Sequence, residues 1–178
     1  MKFGVKQMVT MAVLAALSIV LMLVVRLPII PAAPYLIYEP ADVPILVGTF
    51  LFGPIAGLAI TAIVAAIQAT ILSADGLVGF VMHMMATGTF VITAGLIYKK
   101  FHSIKGAIVA LAAGTLAMTL MMIPVNLIIQ PNFYGTPYDV VKAMIVPVLI
   151  PFNLIKAGVN SVITLVVYKT VSKIVHKI

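Results

Sequence analysis

Long apolar stretches, divided by short polar or proline-rich segments, most constrain what this chain can fold into. Hydrophobic residues make up 63% of its 178 residues and charged residues only 8%, against about a quarter charged in an average soluble domain. A soluble fold of this size cannot bury that much apolar surface, whereas lipid tails accept an apolar exterior. The composition therefore predicts an integral membrane protein.

The apolar runs also predict the number of helices, because a spanning helix needs roughly 20 apolar residues. We predict an all-α integral membrane protein in which residues 1–178 form one domain, a six-transmembrane-helix bundle. The second helix is too short to span alone and is expected to be a half-helix packed inside the bundle. The helices are predicted at about residues 8–25, 43–52, 55–72, 77–98, 104–127 and 147–168.

The segments between these helices are predicted from proline and from turn-forming residues. Residues 29–40 carry several prolines and are predicted as an extended loop, and residues 73–76 and 130–137 are predicted as turns. Residues 139–146 are predicted as a short surface helix. No small-residue cleavage site with a polar mature sequence follows the first helix, so we expect that helix to be retained and not removed as a signal peptide.

The distribution of charge predicts the orientation of the helices, because cytoplasmic loops carry an excess of Lys and Arg. If the N-terminus is inside, all four acidic residues fall at the outer face, with Arg26 and Lys142. The basic residues then expected inside are Lys2, Lys6, Lys99, Lys100, Lys105, Lys169, Lys173 and Lys177. We therefore predict a multi-pass protein of the bacterial cell membrane with both termini cytoplasmic. The net charge of +7 is explained by these helix ends and does not indicate nucleic-acid binding.

Charged and amide side chains at helix positions are candidates for a binding site, because such groups are costly in a membrane. Lys156 lies in the last helix one turn after Asn153, and Asn126 lies near the outer end of the fifth helix. Glu39 and Asp42 lie at the start of the second helix. Together these groups suit a small polar molecule bound near the outer face. The alternative is that Lys156 pairs with Glu39 or Asp42 and that the asparagines only hold helices together.

Further polar and aromatic residues extend this candidate site. Gln68 in the third helix and His83 in the fourth are candidate ligand contacts, with helix packing as the alternative. Aromatic residues of the two outer loops are placed to stack on a flat ring, or else to form an interfacial belt; they are Tyr35, Tyr38, Phe133, Tyr134 and Tyr138. Pro124, Pro147 and Pro151 interrupt helices near this level, as is tolerated beside a water-filled cavity.

Several catalytic and metal-binding motifs are absent from the sequence. There is no cysteine, no histidine pair with metal-site spacing, no phosphate-binding G-x-x-x-x-G-K-[ST] loop and no G-x-S-x-G turn. We therefore predict no catalytic residue, no metal and no cofactor, with energy supplied from outside the chain. Two other classes stay open: a small membrane-embedded enzyme, for which His83 with Asp75 is the best pair, and a stand-alone ion-coupled carrier.

Four segments, in order, carry a family resemblance that covers nearly the whole chain. In the first helix, Ala12 and Ala16 have the spacing that allows close approach of another helix, and spacing alone favours a helix of this chain. Residues 38–44, 52–57 and 151–158 read YEPADVP, FGPIAG and PFNLIKAG. With these segments the chain resembles the substrate-binding (S) component of energy-coupling factor (ECF) vitamin transporters, and above all its riboflavin-transporter branch.

The resemblance implies roles for particular residues and partners. Glu39, Asn126, Asn153 and Lys156 match the positions that line the vitamin pocket in that branch, and riboflavin is the first expected ligand. The alanine motif would contact a membrane coupling subunit (EcfT-like), which works with two ATPase subunits. That family is thought to topple in the membrane to release its vitamin inside the cell.

One departure from the riboflavin branch keeps the ligand open. Riboflavin binders often have a basic residue and an asparagine near the end of helix three, where this chain has Ile67-Gln68. The same branch includes relatives that resemble carriers of pantothenate, pyridoxine-type vitamins or hydroxymethylpyrimidine. A cationic Lys156 would also suit the carboxylate of pantothenate.

Overall fold

A computed structural model describes residues 3–72 and 76–177 of the chain. A π-helical turn, Gln68–Leu72, continues the third helix, and another, Ile145–Leu149, joins the sixth to the seventh without a break. The described residues thus form six helical segments, as predicted. Their helices are α1 (Val5–Val24), α2 (Asp42–Phe52), α3 (Pro54–Ile67), α4 (Gly76–Lys100), α5 (Ile104–Phe133), α6 (Tyr138–Met144) and α7 (Ile150–Lys177).

Five of these segments are long and apolar enough to cross a membrane. They are Val5–Val24, Pro54–Ile71, Gly76–Lys100, Ile104–Phe133 and Tyr138–Tyr168. Their outer faces expose large apolar side chains, which lipid tails accept and water does not. The predicted membrane bundle is confirmed by these segments.

Helix α2 lies inside the bundle. Every side chain from Asp42 to Phe50 is buried, and the helix packs against α1, α3, α4 and α7. A helix that is apolar on all sides must be covered on all sides. The prediction of a short half-helix within the bundle is confirmed.

Close packing around α2 depends on Gly53 and Gly57. Gly53 separates α2 from α3 with a φ of 91°, a conformation that residues with a Cβ rarely adopt, and Pro54 then starts α3. A Cβ on Gly57 would lie 2.1 Å from the Thr49 Oγ1 atom and 2.6 Å from the Val91 Cγ1 atom. The missing side chain therefore lets α3 approach both α2 and α4.

Two connections differ from the sequence prediction because proline did not end the helices. Helix α5 runs through Pro124 and Pro131 to Phe133, so the loop expected to begin at residue 130 is shorter. The expected surface helix and last spanning helix are one continuous segment, in which Pro147 lies within the π-helical turn. Such a turn widens the helix locally and accommodates a residue that lacks a backbone donor.

The proline-rich loop forms a small β-hairpin, where an extended loop was predicted. Strand β1 (Leu27–Pro28) pairs antiparallel with β2 (Ile37–Tyr38), with Leu27 opposite Tyr38. A turn between them is closed by the Ala33 N–H, which donates to the Ile30 carbonyl at 3.0 Å. We call this end of the bundle the hairpin end.

The opposite end of the bundle carries part of the predicted cytoplasmic charge. Gln7, Lys99 and His102 line one hollow there, next to the break between α2 and α3. Lys2 and Asp75, which entered the charge prediction, lie outside the described residues. The predicted turn at residues 73–76 also lies outside the described residues, except for Gly76, which starts α4.

Candidate functional site

A cavity of about 290 Å³ lies at the hairpin end. Its walls come from the hairpin, the π-helical turn after α3, and helices α4, α5 and α7. Six of the eight predicted ligand contacts line it: Glu39, Gln68, His83, Asn126, Asn153 and Lys156. Polar groups from five elements are thus brought to one cavity, as a small-molecule site requires.

The two asparagines are held by their own helices. The Asn126 Nδ2 group donates to the Met122 carbonyl at 2.8 Å, and the Asn153 Nδ2 group donates to the Leu149 carbonyl at 2.8 Å. These bonds fix both side chains against the cavity wall. The Asn126 Oδ1 atom is buried without a hydrogen-bond partner among the described residues, which is costly unless a ligand supplies a donor.

Lys156 has no carboxylate within 4.0 Å among residues 3–72 and 76–177. Glu39, one of the two acids considered as its partner, pairs instead with Arg26, with 3.4 Å between the Arg26 Nε atom and the Glu39 Oε1 atom. Asp42, the other, lies more than 4.0 Å from the ammonium group. The alternative in which Lys156 merely ties two helices through an ion pair is therefore not what the structure shows. Its ammonium group remains available to a guest in the cavity.

Glu39 is almost fully buried, which affects its ionisation. Burial raises the pKa of Glu39 above its ordinary value, and the Asp42 carboxylate adds to this, while the charges on Lys156 and Arg26 act in the opposite direction. Burial is the largest of these effects because a carboxylate loses its hydration. Glu39 therefore titrates closer to neutral pH than a solvated glutamate.

Asp42 and Tyr38, the other two predicted contacts, lie behind the cavity in a buried hydrogen-bond network. The Asp42 carboxylate accepts from the Thr87 hydroxyl at 2.8 Å and from the Asn160 Nδ2 group at 3.0 Å. The Tyr38 hydroxyl donates to the Asn160 Oδ1 atom at 3.0 Å. The network ties α2 and the hairpin to α4 and α7, so these two side chains support the wall and do not line it.

Sequence reasoning missed three polar residues of this region. Arg26 and Thr87 line the cavity, and Asn160 is the centre of the network behind it. Asn160 could have been found, because it follows Lys156 by four positions and so shares its helix face. The apolar part of the wall includes Met82, Met118, Met122 and Phe152, beside aliphatic side chains. Methionine and aromatic side chains suit contact with a flat ring.

His83 and Gln68 contact each other at the cavity wall. The His83 Nδ1 atom forms a hydrogen bond with the Gln68 Oε1 atom. The other ring nitrogen, Nε2, is buried and has no hydrogen-bond partner among the described residues. Most buried polar atoms have a hydrogen-bond partner, so this nitrogen is a candidate for contact with a ligand.

The outer aromatic residues separate into two groups. Tyr35 lines the cavity and also an adjoining hollow of about 480 Å³, to which Tyr134 contributes. Phe133 and Tyr138 are exposed and line neither space. The first pair is thus placed to meet a ring, and the second pair fits an interfacial belt.

Ala12 and Ala16 lie on the exposed face of α1, whereas Ala15 is buried. Their spacing had favoured contact with a helix of this chain, and that expectation is wrong for both alanines. Their face is open to lipid or to another protein. Within the described ranges, no group of three or more His, Cys, Asp or Glu side chains could hold a metal ion.

Comparison with known proteins decides the family. A family model described as the substrate-specific component of ECF transporters matches residues 6–168. This chain belongs to that family of S components. The S component is accordingly a multi-pass membrane protein of bacteria and part of a transporter, not an enzyme, and membership implies association with an ECF module.

Relatives of the S component match it over nearly its whole length. The riboflavin transporter RibU of Staphylococcus aureus is 32% identical over 97% of this chain and 94% of its own length. The riboflavin transporter FmnP of Bacillus subtilis is 34% identical over 89% of this chain and 88% of its own length. A solved S component of a bacterial ECF transporter superposes with a TM-score of 0.83 at 32% identity, covering 95% of this chain and 96% of that one.

Proposed function

We propose that this S component captures riboflavin in the cavity at the hairpin end and passes it into the cell with an ECF module. One observation carries the proposal: Lys156, which has no ion-pair partner among the described residues, and Asn126, whose side-chain oxygen has no donor among them, line one cavity. Polar groups left without partners inside a membrane bundle are expected to be satisfied by a guest. The relatives named as riboflavin transporters support the identity of that guest.

The chemistry of riboflavin fits this lining. Its flat isoalloxazine ring would lie against the methionine and Phe152 surface, and its ring carbonyls would accept from cationic side chains such as Lys156. Its imide N–H and ribityl hydroxyls would donate to acceptors such as the Asn126 Oδ1 atom. We propose Glu39, Gln68, His83, Asn126, Asn153 and Lys156 as direct contacts, with Asp42 and Tyr38 supporting them.

Pantothenate, pyridoxine and hydroxymethylpyrimidine are the competing ligands. Pantothenate would use Lys156 for its carboxylate, but it has no flat ring for the apolar wall. The smaller vitamins would leave part of the cavity and the adjoining hollow unfilled. Riboflavin would contact the apolar wall, the acceptor groups of the cavity and the Lys156 ammonium group together, and for this reason we favour it as the ligand.

The chain has no phosphate-binding loop of its own, and its family implies association with an ECF module. We propose that the whole chain acts as one membrane unit that binds a membrane coupling subunit (EcfT-like) and two ATPase subunits. The exposed face with Ala12 and Ala16 would meet the coupling subunit, since small residues permit close helix contact. The hairpin would cover the loaded cavity before the unit reorients.

The direct test is a titration of the purified chain in detergent. Riboflavin binding is followed by quenching of flavin fluorescence, and the competing vitamins are tested by calorimetry. We expect riboflavin to bind with a dissociation constant below about one micromolar. Failure of riboflavin to bind at micromolar concentration, or tighter binding of another vitamin, would overturn the proposal.

A further inference from the structure

The contact between His83 and Gln68 favours one tautomer of the histidine. The Oε1 atom of an amide only accepts hydrogen bonds, so the His83 Nδ1 atom must be the donor in this contact. In a neutral imidazole the Nε2 atom then has a free lone pair and acts as an acceptor. The contact with Gln68 therefore leaves the Nε2 atom of His83 as an acceptor.

No side chain of the described residues satisfies that acceptor. The Nε2 atom is buried without a partner, although His83 lines the cavity. The hydroxyl one turn away, on Thr87, is already donated to Asp42. Because an unsatisfied buried acceptor costs free energy, the missing donor is expected from the guest.

We propose that the His83 Nε2 atom is an acceptor subsite for an N–H or O–H group of the vitamin, and that Gln68 is the residue that positions it. The inference rests on the proposed function and deepens it, because it assigns a specificity element to that cavity. With the Asn126 oxygen, the site has two buried acceptors that lack donors among the described residues. Analogues without the matching donor are rejected because they leave one acceptor unsatisfied.

Nitrogen-15 NMR of histidine-labelled protein in lipid nanodiscs tests the proton position directly. We expect a protonated Nδ1 and an unprotonated Nε2 for His83 in the free protein, with the signals assigned by their loss in His83→Gln. Gln68→Leu should mix the two tautomers, and Gln68→Glu, which keeps an acceptor oxygen, should restore the original one. A proton on Nε2 in the free wild type would overturn the proposal.

Binding of flavin analogues tests the subsite itself. Wild type, His83→Leu and the control His102→Leu, at the opposite end of the bundle, are titrated with three ligands: riboflavin, riboflavin methylated at the imide nitrogen, and lumiflavin, which lacks the ribityl hydroxyls. We expect His83→Leu to weaken riboflavin binding at least about tenfold. For the analogue that lacks the contacting donor, the loss should be less than about threefold, and His102→Leu should change nothing.

The outcomes distinguish the two proposals. An equal loss for all three ligands would mean that His83 only supports the fold, and no loss for riboflavin would mean that it makes no contact; either result overturns the subsite. If wild type binds none of the flavins while remaining folded, the proposed function fails and the subsite fails with it. If His83→Leu leaves the affinity for one analogue nearly unchanged, as expected, the group that this analogue lacks is the donor: the imide N–H or a ribityl hydroxyl.

Discussion

Lys156 and Asp42 are both charged side chains within the bundle, but their surroundings differ. Asp42 accepts two hydrogen bonds from Thr87 and Asn160, so its charge is already satisfied by the fold. Lys156 has no ion-pair partner among the described residues and lines the cavity. Asp42 is buried, whereas Lys156 is half-buried. A charge removed from water costs free energy unless it is paired, so we assign Asp42 to the supporting structure and propose Lys156 for recognition.

The first prediction concerns Lys156. Lys156→Met keeps the length of the side chain but removes its donors, and we expect riboflavin binding to weaken by about 1–3 kcal/mol because the ring carbonyls lose a charged donor. Lys142→Met is the matched control, since Lys142 is exposed on α6 and does not line the cavity. Fluorescence titration gives both affinities; equal affinity in wild type and Lys156→Met would remove Lys156 from the site.

The second prediction concerns the pH dependence of stability. Since burial raises the pKa of Glu39 above its ordinary value of 4.5, the folded protein holds this proton more tightly than the unfolded chain does. Stability should therefore fall as the pH rises from 4.5 through the raised pKa. Glu39→Gln is neutral throughout and lacks this effect.

Melting temperatures in detergent between about pH 4 and pH 8 check this prediction. The melting temperature of Glu39→Gln minus that of wild type should increase across the acid part of this range. Asp139→Asn, at an exposed acid on α6, should show no such trend. A difference that decreases with pH would mean that attraction from Arg26 and Lys156 outweighs burial.

At the scale of helices, the contact of α3 with α2 and α4 leads to the third prediction. Gly57→Ala places a Cβ 2.1 Å from the Thr49 hydroxyl oxygen, so the helices must separate, and we expect a lower melting temperature. Gly158→Ala on α7 has nothing within 4 Å of its new Cβ and should raise stability by about 0.5–1 kcal/mol, the helical preference for alanine. Equal effects of the two substitutions would contradict the packing.

The helices themselves were largely predictable, because an apolar run of about 20 residues indicates a membrane-spanning helix. The ends of the helices were not predictable, since the sequence does not show whether a helix ends at a proline or continues through it. Pro131 was expected to lie in a loop, but α5 continues past it to Phe133. Pro147 was expected to begin a helix, but it lies in a π-helical turn within one. In a membrane helix, such prolines are tolerated where the surroundings or a local π-helical turn accommodate the freed carbonyls, and the sequence does not show this.

The site was predictable where a polar side chain lies in an apolar run. That signal identified Asn153 and Lys156, which line the cavity. It could not tell that Asp42 points into a network and not into the cavity, because this depends on Thr87 and Asn160 from distant helices. Which residues of one short segment line the cavity, and which lie behind its wall, can be read only from the tertiary structure.

For the whole molecule, the fourth prediction concerns its orientation in the membrane. The chain contains no cysteine, so an introduced single cysteine is the only site in the chain that a maleimide can label. We expect Asp139→Cys to react with a membrane-impermeant maleimide on intact cells and Lys100→Cys to react only after lysis, because basic helix ends stay in the cytoplasm. Both positions are exposed. The reverse labelling pattern would invert the proposed orientation and put the cavity inside.

The fifth prediction concerns the exposed face of α1. Ala12→Trp and Ala16→Trp add bulk where close helix contact is proposed, so we expect less riboflavin uptake and less co-purification of the ECF module, with unchanged binding by the isolated chain. Val109→Trp is the control, because Val109 is 57% exposed on α5, a helix that does not pack against α1. Normal uptake in both alanine variants would place the coupling subunit elsewhere.

The ion pair between Arg26 and Glu39 has a kinetic consequence. Arg26 precedes β1 and Glu39 follows β2, so their contact clasps the two ends of the hairpin together. Both side chains also line the cavity. A ligand that forms a hydrogen bond with Arg26 or Glu39 would weaken the ion pair between them. The same two side chains would then affect both the binding of the ligand and its release. Two vitamins of equal affinity would then differ in residence time, according to whether they reach this pair.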